Sequence, residues 1–274
     1  MKQAILTVNI GNTNVSAAIC SRGPEDRLLH PHPADGNFVA GLSSVAAESD
    51  IRRLASWPTK DWIRRESWTR SEWLQILSQT AAKKVWVSCV VTEVMPVLTD
   101  WSLDSDVPVH FATFSSIPLK FDVPAPEFVG IDRLINCTAA WSRFSRTCLV
   151  VDLGTAVTWD LVVAPGVFVG GVIAPGLETL AHALPGRTAL PYVEPSMTAE
   201  LIGRDTHACL RSGLWYGFLS SVEGIIDRIH ATLPERPLTL LTGGTAQLVA
   251  PHLRESYPVL PNLTHEGLRL ISTL

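Results

Sequence analysis

Two runs in this chain place a polar residue, a glycine and a second polar residue at the end of an apolar stretch. One reads Ala4-Ile-Leu-Thr-Val-Asn-Ile-Gly-Asn-Thr-Asn-Val, the other Cys148-Leu-Val-Val-Asp-Leu-Gly-Thr-Ala-Val. Superposed, Asn9 falls on Asp152, Gly11 on Gly154 and Asn12 on Thr155. An apolar run, a tight glycine turn and a second β-rich run predict a β-hairpin. Glycine lets the backbone approach a bound anion closely, and turn amides and hydroxyls, Thr13 among them, donate to phosphate oxygens. The expected chemistry is phosphate binding. The duplication predicts two related halves facing each other across a nucleotide cleft.

Two further clusters carry functional groups. Gly130-Ile-Asp-Arg133 sets a carboxylate beside a guanidinium. Alone, that pair reads as one ion pair at a helix start. Thr242-Gly-Gly-Thr-Ala246 puts a glycine pair where a strand would hand over to a helix. Alone, it reads as an ordinary turn. Thr188 by itself reads as a cap or turn residue, and Asp152 as a turn carboxylate accepting backbone N–H bonds. His30, His32, His182 and His207 lack metal-ligand spacing. Trp57, Trp62, Trp68 and Trp73 suit core packing or burial at a subunit contact. No Walker A loop and no dinucleotide Gly-x-Gly-x-x-Gly motif is present.

The elements that must position these groups follow from periodicity. Hairpins are expected over 4–19 and 147–163. Residues 21–37 carry turn chemistry, and 38–83 read as mostly helical with a strand-like break near Trp57-Pro58. Lys84–Val91 reads as a buried strand, Val94–Leu103 as a helix and Val107–Phe111 as a short strand. A boundary is expected near Thr113–Pro118, giving domains 1–114 and 115–274. A Pro-rich loop at Val123–Glu127 precedes a helix over Ile131–Phe144. Strands are expected at Val167–Ile173 and Leu238–Leu241, helices at 176–184 and 198–232. The alternation predicts an α/β architecture with mixed sheets.

Size and composition narrow the class. At 274 residues the chain has room for two domains of ordinary size. A hydrophobic content of 46% with 18% charged residues fits a filled core and argues against disorder. Net charge is −4 without a Lys/Arg block, so neither a nucleic-acid nor an anionic-membrane partner is expected. Five cysteines without a Cys-x-x-Cys pair point to a reducing, cytoplasmic setting. No apolar run is long enough to predict a membrane span, and no signal-peptide pattern opens the chain.

Taken together, the clusters resemble those of kinases with the actin, Hsp70 and sugar-kinase architecture, and in particular the type III pantothenate kinase family. Beyond the four motifs, Trp86-Val-Ser-Cys-Val-Val91, Pro126–Asn136, Gly170–Leu177, Thr188–Pro191, Gly203–Gly217 and Leu263–Leu268 are similar to family segments. The likeness covers nearly the whole chain and is weakest over 21–80. It implies two ribonuclease H-like domains with mixed sheets flanked by helices. It also implies ATP-dependent phosphorylation of pantothenate with Mg²⁺, a monovalent cation (K⁺ or NH₄⁺) and a homodimer. By the same resemblance Asp132 is the general base, and Gly130, Arg133 and Thr188 contact pantothenate. Asn9, Gly11, Asn12, Thr13, Gly154 and Thr155 cradle phosphates. Gly243 and Gly244 border the adenosine, and Asp152 holds the monovalent cation.

The chain departs from the family at two places. Asn9 stands where relatives carry Asp, which removes a negative charge from the metal site while keeping a carbonyl oxygen. The loss of one charged hydrogen bond would weaken Mg·ATP use by roughly ten- to a hundredfold. Val123 stands where many relatives have a Tyr that touches substrate. Two alternatives therefore stay open beside the pantothenate kinase: a nucleotide-binding accessory or regulatory relative, and a kinase for another alcohol.

Overall fold

The computed structural model describes residues 4–21, 51–103 and 106–273. The turn segment expected over 21–37 lies outside the described residues apart from Ser21, as do His30, His32 and residues 38–50. The chain forms two mixed five-stranded sheets flanked by helices, the α/β class expected. It divides into two compact units, 1–145 with 164–168 and 262–274, and 146–163 with 169–261.

In the first unit, β1 (Ala4–Ile10) and β2 (Asn14–Ser21) form the first hairpin. β3 (Ile51–Pro58) adds antiparallel to β2. β4 (Val85–Cys89) and β5 (Val109–Phe111) add parallel on the other side, giving the order β3-β2-β1-β4-β5. Strand alternation splits β1 into two faces. Leu6, Val8 and Ile10 are fully buried in an apolar cluster with residues of α1 (Thr59–Ile63), α2 (Ser67–Thr80) and α3 (Val94–Ser102). Trp62 is the hub of that cluster, with ring centroids 5.3 Å from Trp57, 6.0 Å from Trp73 and 5.1 Å from Trp101. Tilted and edge-on pairs of this kind add about 0.5–1.5 kcal/mol each to the burial of their area. Trp57, Trp62 and Trp73 thus pack in the core as expected, whereas Trp68 is 41% exposed on the outer side of α2.

The helical expectation over 38–83 is corrected for 51–58. Ile51–Pro58 is an edge strand, paired among the described residues with β2 alone, with a register shift opposite Ala17/Ala18. Its Arg52 and Arg53 are solvated, so the apolar alternation that marks a strand is missing. The opposite face of the sheet carries Thr7 and Asn9. It is covered by α8 (Leu263–Ile271), which packs in turn on α4 (Ile131–Phe144). Gly267 permits this approach, because a Cβ there would collide with the Ile135 carbonyl. Also in this unit, β6 (Lys120–Phe121) runs parallel to Val167–Phe168.

In the second unit, β7 (Cys148–Leu153) and β8 (Ala156–Val163) form the second hairpin, followed by β9 (Val167–Pro175). The helices are α5 (Leu177–Ala183), α6 (Thr206–Ala231) and α7 (Ala246–Val249). β10 (Leu238–Thr242) lies parallel to β7, and the second sheet has the order β10-β7-β8-β9-β6. Leu149, Val151, Leu153, Trp159, Trp215 and Phe218 form the core between sheet and α6. The helix expected over 198–232 begins later. Asp205 caps it, accepting from the Ala208 amide at 2.8 Å, and 198–205 approach it as non-helical chain. A side chain at Gly203 would strike the Ala208–Cys209 backbone, so the chain turns there before the cap.

Candidate functional site

The first turn is built by the hairpin and fastened from outside it. The Gly11 amide donates to the Asn14 carbonyl at 3.0 Å, closing the loop over Gly11, Asn12 and Thr13. Asn12 and Thr13 are exposed at its tip. Thr59, at the start of α1 and 1% exposed, donates its hydroxyl to the Gly11 carbonyl at 2.6 Å and its amide to the Thr13 carbonyl at 2.8 Å. These bonds occupy turn carbonyls that would otherwise repel an anion. Nothing in the sequence singles out Thr59, because its role comes from the packing of the start of α1 against the turn at Gly11, 48 positions back along the chain.

The second turn is one residue shorter in register. Leu153 pairs with Val157, whereas Ile10 pairs with Val15. The Gly154 amide donates to the Ala156 carbonyl at 3.1 Å, and Thr155 is exposed. Here too the carbonyls are taken up. Thr155 O accepts the Gly176 amide at 2.9 Å and the Thr179 hydroxyl at 2.6 Å. Gly176 fits against this turn because any side chain would run into Gly154 O and Thr155 O. The Thr242–Ala246 segment is drawn to the same place by the β10–β7 pairing, which sets Thr242 opposite Asp152. Thr245 donates its amide and hydroxyl to the Leu153 carbonyl, at 3.0 and 2.8 Å. Gly243 has φ +96°, and a Cβ on it would meet the Leu153 backbone at 2.6 Å and the Asp152 carboxylate. Only glycine satisfies both the dihedral and the contact. Gly244 is exposed beside it with open space at its Cα. The second unit thus gathers Asp152, Gly154, Thr155, Gly243 and Gly244.

Asp132 and Arg133 open α4 in the first unit, the unit of the Asn9–Thr13 turn. The helix start is a Gly130 N-cap without side-chain capping. Gly130 leaves room for the Asp132 carboxylate, whose Oδ1 would lie 2.8 Å from a Cβ at that position. Oδ1 also accepts the Arg133 amide at 2.8 Å. A carboxylate in the first turn is favoured by the helix dipole, which fixes it near the axis end. The Arg133 guanidinium carbon sits 6.0 Å from the Phe168 ring centroid, within cation–π range. Thr188 lies in the second unit and is exposed after α5. Its hydroxyl donates to Leu184 O at 2.8 Å and accepts the Leu190 amide at 3.1 Å, a turn role on its own terms.

Beneath the first turn the sheet carries a polar strip. Asn9 is aligned with Ser16 on β2 and with Ser88 on β4, so the three side chains share one face. Asn9 Oδ1 and Ser88 Oγ are buried, and neither has a hydrogen-bond partner among the described residues. Ser88 is 0% exposed. Two buried oxygens on neighbouring strands without donors fit a water molecule or the water shell of a hard cation. No cluster of three His, Cys, Asp or Glu side chains occurs among the described residues. Ser88 lay inside a segment matched by sequence, yet nothing local marked it. The parallel register of β4 on β1 gives it a place in the site.

A profile of the type III pantothenate kinase family matches residues 5–228. The type III pantothenate kinase of Moorella thermoacetica is 40% identical over 158 residues, which is 57% of this chain and 61% of the relative. That of Syntrophus aciditrophicus is 35% identical over 200 residues, 71% of this chain and 78% of the relative. The aligned part therefore spans less than two thirds of the Moorella protein's length. Among solved structures, one from Campylobacter jejuni described as a Baf family transcriptional activator matches with a TM-score of 0.55 at 15% identity. It covers 98% of this chain and 97% of its own, a likeness of fold alone.

Proposed function

We propose that this chain, which belongs to the type III pantothenate kinase family, transfers the terminal phosphoryl group of ATP to the primary alcohol of pantothenate. The product is 4′-phosphopantothenate, and the step opens coenzyme A biosynthesis. The observation that carries the reading is the Asp132–Arg133 pair at the head of α4, in one compact unit with the Asn9–Thr13 turn.

Phosphoryl transfer is mostly positioning and charge stabilisation. Asp132 accepts the proton of the attacking hydroxyl, a task for a carboxylate in hydrogen-bond reach. Arg133 grips the pantothenate carboxylate with its planar fork, and Gly130 keeps the space for both. Thr188 adds a hydroxyl contact to pantothenate. Amides and hydroxyls of Gly11, Asn12, Thr13, Gly154 and Thr155 hold the phosphates, while Gly243 and Gly244 border the adenosine. Magnesium, bound with ATP, supplies neutralisation of the phosphate charge. Asn9 Oδ1 and Ser88 Oγ would accept hydrogen bonds from its water shell. Asp152, lying against Gly243, would hold K⁺ or NH₄⁺.

The working form we propose is a homodimer in a reducing cytoplasm. Ile173, Met197, Leu201 and Ile202 of the second unit are large apolar side chains left 57–82% exposed, which a second copy could cover. The five cysteines are free thiols, and no helix among the described residues is long and apolar enough to cross a membrane. By the duplication in sequence we assign the halves to 1–114 and 115–274; Asp132 and Arg133 fall in the second half along the chain and pack in the first compact unit. Asn9 is the one observation favouring a second reading, a nucleotide-binding relative with weak transfer. Formation of 4′-phosphopantothenate from ATP and pantothenate, with Mg²⁺ and K⁺ or NH₄⁺, separates the two. Turnover by the natural chain that disappears in Asp132→Asn supports the kinase. Turnover only in Asn9→Asp supports the second reading.

A further inference from the structure

The buried stripe of α8 contains a polar residue. Leu263, Gly267, Leu268 and Ile271 are its apolar members, and His265 lies among them at 2% exposure. A buried imidazole is tolerated where both nitrogens find partners. Here Nδ1 is 2.9 Å from Thr7 Oγ1 and Nε2 is 3.1 Å from Ser16 Oγ.

The proton positions can be worked out. Thr7 Oγ1 donates to the Ala18 carbonyl at 3.1 Å, and a carbonyl can only accept. With its single proton on that carbonyl, Thr7 accepts from the Cys20 thiol 3.4 Å away and from the ring, which places hydrogen on Nδ1. Burial, aided by Arg53, holds the ring neutral, which leaves Nε2 as an acceptor. Ser16 therefore donates to Nε2. The Ser16 proton is turned into the helix, and its lone pairs are left toward the sheet. Ser16 is the direct cross-strand partner of Asn9, so its Oγ joins Asn9 Oδ1 and Ser88 Oγ on one face as a third oxygen able to accept.

The helix that aims His265 is itself fixed. Asn262, before its first turn, accepts Arg53 Nε of β3 at 2.8 Å. Thr264 donates to Asn136 of α4 at 2.8 Å, and Glu266 pairs with Arg143 at 3.3 Å with both side chains 16% exposed.

We infer that His265 is a positioning residue for the first phosphate turn: as the Nδ1–H tautomer it orients Ser16, so that its Oγ joins Asn9 Oδ1 and Ser88 Oγ as a third oxygen able to accept from the water shell of a nucleotide-bound divalent cation. The inference deepens the kinase reading and rests on it for the identity of the ligand.

The test uses the full chain. Long-range ¹H–¹⁵N correlation spectra of histidine-labelled protein near neutral pH assign the ring, with His265→Gln identifying its signals. The expected result is a proton on Nδ1 and a bare Nε2. A proton on Nε2, or on both nitrogens, overturns the inference. In parallel, Mn²⁺ affinity is titrated with a non-hydrolysable ATP analogue. Ser16→Ala and His265→Leu should weaken it by about three- to tenfold, the scale of one hydrogen bond. His265→Gln, whose amide can donate to Thr7 and whose carbonyl can accept from Ser16, should recover most of the loss. Unchanged Mn²⁺ affinity in Ser16→Ala overturns the inference even if His265→Leu does not fold. A natural chain that binds no nucleotide overturns the kinase reading instead, and the tautomer still decides the state of His265.

Discussion

Replacing His265 by Gln should flatten the pH dependence of folding. The ring is 2% exposed, and its surroundings cannot hydrate an imidazolium. Burial, with Arg53 nearby, lowers its pKa from 6.5 to about 3. Between those values the unfolded chain binds a proton that the folded chain refuses. Stability is therefore complete above about pH 6.5 and is lost as pH falls. Each pH unit below the unfolded value costs roughly 1.4 kcal/mol, so the loss at pH 5 is about 2 kcal/mol. His230 is also lowered, by partial burial and Arg236, and contributes in the same sense. The informative quantity is thus the difference between the natural chain and His265→Gln, in which His230 and the carboxylates cancel. Urea unfolding at pH 7 and pH 5, followed by tryptophan fluorescence, measures it. The cluster around Trp62 belongs to the same unit as His265 and reports on it. The natural chain should lose about 2 kcal/mol more than the variant on acidification. Parallel pH responses would refute the assignment of a neutral, proton-refusing ring.

Gly243→Ala should lower the stability of the second unit by about 2–4 kcal/mol, combining left-handed backbone strain with displacement of the Leu153 backbone. Urea unfolding should show this along with weaker nucleotide binding, and a silent substitution would exclude the close packing of this turn. Asp132→Asn should cut kcat by roughly 10²–10⁴-fold while leaving the unfolding midpoint in place; a loss confined to KM would point to binding instead of proton transfer. Arg133→Lys keeps the charge and loses the fork, so KM for pantothenate should rise about tenfold with kcat less affected. Asn9→Asp should tighten Mn²⁺ binding by roughly ten- to a hundredfold, the scale of a charged hydrogen bond. Equal affinity, measured by calorimetry, would remove Asn9 from the ion's surroundings.

The two hairpins were legible because everything that makes them is local. Period-two burial, a polar strand end and a glycine turn stand within one window of sequence. The Ile131–Phe144 helix was legible for the same reason, with a clear apolar face and a glycine before its first turn. The failures share a different cause. Ile51–Pro58 is a strand only because β2 offers it an edge, and its solvated Arg52 and Arg53 hide the alternation. α8 carries a glycine and a histidine on its buried stripe, both poor local signals for a core helix. Each is explained by a partner far along the chain, Gly267 by Ile135 and His265 by Thr7 and Ser16. Ser88 and Thr59 repeat the point, since one gains its place by register with Asn9 and the other by reaching the first turn from α1. The motif residues mark where we propose that an anion is met. The polarity of that place, which carbonyls are silenced and which oxygens are left to accept, is set by residues whose types are ordinary and whose positions only pairing decides. A substitution at Ser16, Thr59 or Ser88 should therefore change function while leaving the four motifs of this chain intact.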